Sequence, residues 1–218
     1  MRSKGTICLT ADRSTGSQAN LDNFVRPWLR KHRQEDHRVR SVANADERQS
    51  LRILPGRLID LDSWDDKGES VYVVPHTHFE NDEIQFAALN YCWRQDETNK
   101  LTEQSGDQVK IRVSQLAPTI RDAISVTKRL GLRYLWVDAL CIMQNSKKDM
   151  DVELRKMSDI YSNADFVISA VAAADSSESF IVDRNPLAVN PCLIGVQDNA
   201  NTPWSKLSRF GVIFALPS

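Results

Sequence analysis

The sequence predicts an α/β fold with a mostly parallel sheet flanked by helices, preceded by a flexible N-terminal arm. Three observations carry that prediction. Two apolar runs, Tyr134–Val137 and Phe166–Val171, have the composition of strands covered on both faces. A helical pattern lies between them and another precedes them, so strand and helix alternate along the middle of the chain, the order that produces parallel crossovers. Charge, finally, divides the chain near Leu54 and Pro55: residues 1–52 hold 11 Lys and Arg against 6 Asp and Glu, whereas the remainder is acidic.

Taken in order, residues 1–52 are expected to be a flexible basic arm that packs little against the domain, because apolar side chains are sparse there. The densest basic cluster is Arg26 to Arg33. Val71–Val74 and Phe86–Tyr91 are short β-branched or aromatic runs and predict strands. A helix is expected from Pro118, since proline suits a first turn, with Ile120, Ala123, Ile124, Thr127 and Leu130 on one face and Gly131 as the stop. The run Tyr134–Val137 follows as a strand, with Asp138 at its carboxyl end. A second helix is expected over about Asp149 to Tyr161, with Met150, Leu154, Met157 and Tyr161 as its apolar stripe. At about 100° per residue Glu153 falls inside the apolar face, between Met157 and Ile160. Tyr161 precedes a turn at Ser162 and Asn163, and Phe166–Val171 reads as the next buried strand, expected beside Tyr134–Val137. Residues 186–218 read as a C-terminal extension, a truncated remainder of the domain, with no element placed in it.

Composition excludes several classes. Of 218 residues 41% are hydrophobic and 26% charged, with 8 Gly and 8 Pro, so the chain is neither low-complexity nor collagenous. A net charge of -1 gives no reason to expect nucleic acid. No signal peptide or membrane span is expected, since the longest apolar run, Phe166–Ala174, is about half a bilayer-spanning length. Cys8, Cys92, Cys141 and Cys192 form no Cys-x-x-Cys pair, which argues against zinc and against a disulfide framework. A cytoplasmic location follows as an expectation. His76 and His78 would share one side of an extended strand, but without further ligands no metal site is expected. No Gly-rich phosphate loop and no Gly-x-Ser-x-Gly elbow are present.

Candidate site residues follow from the sheet. Ligands of open α/β sheets gather at the carboxyl ends of parallel strands, here Tyr91, Cys92 and Trp93 after one strand and Asp138 and Cys141 after another. Glu153 is the first candidate, because a carboxylate on the buried side of a helix is expensive unless paired or facing a wet cleft. Pairing with Arg155, Lys156 or a nearby arginine is the structural alternative. Asp138 either orients a substrate hydroxyl or bonds loop amides, Trp93 either stacks on a ligand or belongs to the core, and Cys141 reads as a small buried hydrophobe.

Several motifs together resemble one family. Leu54–Asp60 (LPGRLID), Ala88–Trp93 (ALNYCW), Thr119–Ile124 (TIRDAI) and above all Leu130–Gln144 (LGLRYLWVDALCIMQ), continued by Glu153, Met157, Asp159–Tyr161 and Asn163–Ala164, are similar to successive motifs of the fungal heterokaryon incompatibility (HET) domain. The resemblance covers about residues 53–185, a span suited to one domain. It implies a protein of fungal non-self recognition and programmed cell death, with protein partners and self-association. It further implies a distant relation to TIR domains, whose flavodoxin-like sheet in some members supports NAD cleavage. Glu153 would then be the catalytic carboxylate, with Tyr91, Trp93 and Asp138 binding the substrate; NAD would be a substrate, and no cofactor is expected. The chain departs from the family pattern at Asn90, Arg94 and Asn145, where serine, glycine and aspartate are usual. Those departures leave a non-catalytic self-associating module, or a degenerate truncated copy, as the alternative.

Overall fold

The computed structural model describes residues 14–33, 53–62, 69–78, 84–93, 100–106, 108–171 and 173–183. Six strands, β1 (Arg57–Asp60), β2 (Ser70–Pro75), β3 (Phe86–Asn90), β4 (Val109–Arg112), β5 (Tyr134–Trp136) and β6 (Phe166–Ser169), form one sheet in the order β4-β2-β1-β5-β3-β6. The α/β class is as the sequence predicts, and the sheet is mixed. β5, β3 and β6 pair in parallel, whereas β4, β2, β1 and the β1–β5 junction pair antiparallel. Parallel pairing is thus confined to the half that carries the predicted strands at Tyr134 and Phe166.

That half is centred on β3, whose first four residues are all buried. The expectation that β5 and β6 are neighbours is corrected: β3 lies between them, with Ala88 opposite both Trp136 and Val167. Because β6 therefore occupies the edge, it alternates. Phe166 and Ile168 are buried while Val167 is exposed, so the strand is covered on one face rather than both. β4 and β1 carry no run long enough to stand out; Val109 and Ile111 point to the half-buried side of an edge strand with Lys110 and Arg112 exposed. His76–His78 form a tight helical turn rather than part of an extended strand.

Helix α2 (Pro118–Arg129) begins on its proline and ends as expected. Gly131 takes a φ of 78°, and its amide donates to the Lys128 carbonyl while that of Leu132 donates to Thr127, a Schellman closure that a side chain at Gly131 would strain. Ile120, Ala123, Ile124 and Thr127 are buried. Helix α3 (Lys147–Asn163) contains the expected helix with one difference of rotation. Leu154, expected in the stripe, is exposed at 49%, whereas Glu153, expected inside the apolar face, is buried with Ile160. The packed arc is turned toward the carboxylate, which is satisfied there by Lys156 on the same helix and by the distant Gly56 amide.

The N-terminal arm is corrected over part of its length. Helix α1 starts at Gln18–Asn20, passes through a π-helical turn at Leu21–Val25 and continues helical over residues 26–33. Leu21, Val25 and Leu29 are between 2% and 4% exposed and join the main core, and Trp28 meets Phe166 edge-on at 6.2 Å. Three aliphatic side chains spaced by four suffice to dock a helix of otherwise polar sequence. Residues 1–13, 34–52 and 184–218, with Arg94, lie outside the described residues, and with them the expectations for the basic cluster's flanks and the C-terminal extension.

Candidate functional site at the carboxyl edge of the parallel strands

β3 and β5 run in parallel, so their carboxyl ends open on the same edge and bring two of the predicted residues together. The Trp93 indole Nε1–H donates to Asp138 Oδ2 at 2.9 Å, and the Ala139 amide donates to Asp138 Oδ1 at 2.7 Å. Asp138 opens a four-residue helical turn, Asp138–Cys141, directly after β5. Burial pushes its carboxyl up to about 6, against the pull of the Ala139 amide and the Trp93 indole. The Trp93 ring is exposed at 38%, and Lys100 Nζ lies 5.4 Å from its centroid. Trp93 is therefore not core: it is an aromatic surface held at one edge by a carboxylate and faced by a cation.

Beneath this pair lies Tyr161, which donates to the Leu89 carbonyl at 3.2 Å and meets Trp136 edge-on at 5.5 Å. Burial, reinforced by the charge of Asp138, pushes the Tyr161 hydroxyl up to about 12. Tyr91 is half-buried and packs against the core beside this group. Cys141 is fully buried, and burial pushes its thiol up to about 12, so it is a protonated packing group as its apolar surroundings predict.

Glu153 is reached from a different direction. It is 3% exposed, and both carboxylate oxygens are engaged by the protein: Oε2 accepts from the Gly56 amide at 3.1 Å and Oε1 from Lys156 Nζ at 3.0 Å. Gly56 precedes β1, and a Cβ built on it would come within 2.8 Å of Glu153 Oε1. Glycine there allows the backbone to close on the carboxylate. Next to it Arg57 makes a two-pronged pair with Asp149, at 3.0 and 2.9 Å, and also donates to the Cys141 carbonyl at 3.2 Å. Burial alone would raise the Asp149 carboxyl, but Arg57 and the Met143 amide outweigh it and hold it below its ordinary value.

The structure thus separates the predicted residues into two groups. Trp93 and Asp138 share an edge open to solvent, with Tyr91 nearby; Glu153 belongs to an inner network tying β1 to α3. Of that network the sequence pattern anticipates only Lys156. Gly56, Arg57 and Asp149 escape it because their partners lie roughly 90 residues away along the chain; the LPGR run that contains two of them is the signal that marks them. Among the described residues no cluster of His, Cys, Asp and Glu could hold a metal ion, and no helix is long and apolar enough to cross a membrane.

The family model of the heterokaryon incompatibility protein (HET) matches residues 86–210. No curated protein and no solved structure matches the chain. The match begins on the first residue of β3 and takes in α2, β5, the Asp138 turn, α3 and β6, which together make up the parallel half of the sheet and its carboxyl edge. More than half of the chain is covered, and the chain belongs to the heterokaryon incompatibility family.

Proposed function

We propose that this chain acts in fungal non-self recognition and programmed cell-death signalling as a cytoplasmic interaction module, working through protein partners and self-association rather than by Glu153 catalysis. The observation that carries this reading is the engagement of Glu153, whose two oxygens are held by the Gly56 amide and Lys156 at 3% exposure. A carboxylate that stabilises an oxocarbenium-like centre must present an oxygen to the sugar. Here one oxygen instead ties α3 to the residue before β1, and the other is held within α3 by Lys156. On this reading no cofactor takes part.

A second reading keeps the distant TIR resemblance and takes NAD as substrate. The bond from ribose to nicotinamide breaks, nicotinamide leaves, and water adds to the ribose carbon, releasing a proton. The observation favouring it is the pairing of an exposed indole with a half-buried carboxylate on one strand edge, Trp93 with Asp138, where a base could stack and a ribose hydroxyl could be held. Glu153 would have to release Lys156 to take part.

One experiment separates the two. Purified protein at high concentration is incubated with NAD and nicotinamide release is measured, and Glu153→Gln is assayed in parallel for melting temperature and cell killing. The interaction reading expects no nicotinamide release and killing by Glu153→Gln in proportion to its folded fraction. Release that disappears in a normally melting Glu153→Gln protein overturns it in favour of NAD cleavage.

A further inference from the structure

The N-terminal helix is attached to the domain by a short relay of hydrogen bonds that lies wholly outside the six-stranded sheet. On α2, Asp122 Oδ2 accepts from the Phe180 amide at 3.1 Å, from the Ile181 amide at 3.3 Å and from the Ser179 hydroxyl. One turn earlier Thr119 donates to the Glu178 carbonyl at 2.6 Å. The segment held in this way in turn holds the start of the arm. The Thr15 amide donates to the Val182 carbonyl at 3.0 Å, the Val182 amide to Thr15 Oγ1 at 3.0 Å, and the Thr15 hydroxyl to the Phe180 carbonyl at 3.2 Å, while Ser14 bridges Asp183.

Packing reinforces the relay. A Cβ on Gly16 would lie 2.7 Å from Ile181, so the two segments meet with no room for a side chain. Past Gly16, Ser17 caps α1 through the Asn20 amide at 3.1 Å, and Asn20 reaches back to the Ser14 carbonyl at 2.6 Å. Leu21, Val25 and Leu29 then enter the core, leaving a small apolar cavity lined by Gly16, Leu21, Val25, Val126, Phe166 and Phe180, among others. Along the helix Arg26 donates to the Arg129 carbonyl and Arg129 Nε to Gln18 Oε1 at 3.0 Å, and at the far end Arg33 pairs with Asp165 at 3.4 Å, the Arg33 side chain 34% exposed. With the guanidinium partly in water, this pair contributes modestly.

We propose that residues 14–33 are a strap and that Asp122 is its latch: the carboxylate fixes residues 179–182, and these fix Thr15 and Gly16. None of the latch bonds belongs to the β1–β6 ladders, so the strap can open as a local unit while the sheet stays paired. Opening bares Val126, Phe166 and Phe180. Ser179 is exposed and its hydroxyl touches Asp122, so negative charge added at Ser179 opposes the Asp122 carboxylate and favours opening.

The test is residue-resolved amide hydrogen exchange on the full chain, comparing the wild type with Asp122→Ala, Ser179→Glu and Gly16→Val. Asp122→Ala removes the acceptor, Ser179→Glu sets like charges together, and Gly16→Val forces Ile181 away without touching the carboxylate. The expected result for Asp122→Ala and Gly16→Val is faster exchange of the α1 amides by about tenfold or more, the loss of one charged hydrogen-bond set, with protection at Leu135 and Trp136 unchanged. Ser179→Glu is expected to shift α1 exchange in the same direction. Unchanged α1 exchange in both Asp122→Ala and Gly16→Val overturns the proposal. So does an equal rise in α1 and β5 in both, because the strap would then not be a separable unit.

Discussion

Two carboxylates of one domain, Glu153 and Asp138, stand in opposite relations to the fold. Glu153 is deeply buried, yet each of its oxygens has a partner, and a Cβ on the glycine that meets it would crowd the carboxylate. Asp138 is only half-buried, but its carboxyl is pushed up to about 6 because burial outweighs the two donors it has. A buried charge is tolerated where the chain supplies its counter-groups and remains costly where it does not. The comparison teaches that depth alone does not mark a functional acid. Glu153 has both oxygens engaged within the fold, and Asp138, beside an exposed indole, is the group whose charge the fold leaves incompletely compensated.

The largest effect that sharpens the comparison is expected at the inner network. Arg57→Ala leaves Asp149 without its two-pronged partner and frees the Cys141 carbonyl; both side chains are under 20% exposed, so unfolding free energy should fall by about 3 kcal/mol in denaturant titration. A loss near zero would mean that the β1–α3 tie is ornamental.

Asp138→Asn comes next, and its sign depends on pH. The folded carboxyl titrates near 6, above its unfolded value of about 3.9, so the native state binds more protons between those limits and wild-type stability falls as pH rises through them. The penalty is complete above the folded value and absent below the unfolded one. Asparagine carries none, so the stability of Asp138→Asn relative to wild type should be greater at pH 7 than at pH 4 by about 1–2 kcal/mol. Parallel stability curves for the two proteins across that range would show that Asp138 is compensated after all, and the contrast with Glu153 would fail.

The smallest expected effect belongs to Glu153→Gln. The amide oxygen can still accept from Gly56, and Lys156, with 32% of its side chain exposed, recovers water when its partner is neutralised. The loss should be about 1 kcal/mol by thermal or chemical melting. A loss of several kcal/mol would show that Lys156 is more deeply committed to the carboxylate than its exposure suggests.

Much of the parallel half was legible in the residues. Pro118 and Gly131 bound α2 because one fixes φ at a helix start and the other reaches the left-handed region at its end, both local properties. Tyr134–Trp136 and Phe86–Asn90 are strands because continuous apolar runs have few other soluble solutions. Asp138 was placed at the carboxyl end of its strand by adjacency alone. Long-range placement was not legible. β3 inserts between β5 and β6, and that insertion exposes Val167 at the sheet edge, although its neighbours in sequence give it the look of a core residue.

By itself the sequence determined the α/β class, the limits of α2, the presence of α3, and the family motifs, because these depend on periodicity, on backbone stereochemistry and on contiguous runs. Only the tertiary structure decided that Leu154 leaves the packed arc of α3, that α1 completes the core, and that Glu153 meets Gly56 across a separation of 97 residues. The physical reason is that a polar group's cost of burial is set by its partners in space. A pattern read along the chain records where apolar side chains recur, and it cannot record which distant amide or ammonium will arrive to satisfy a charge.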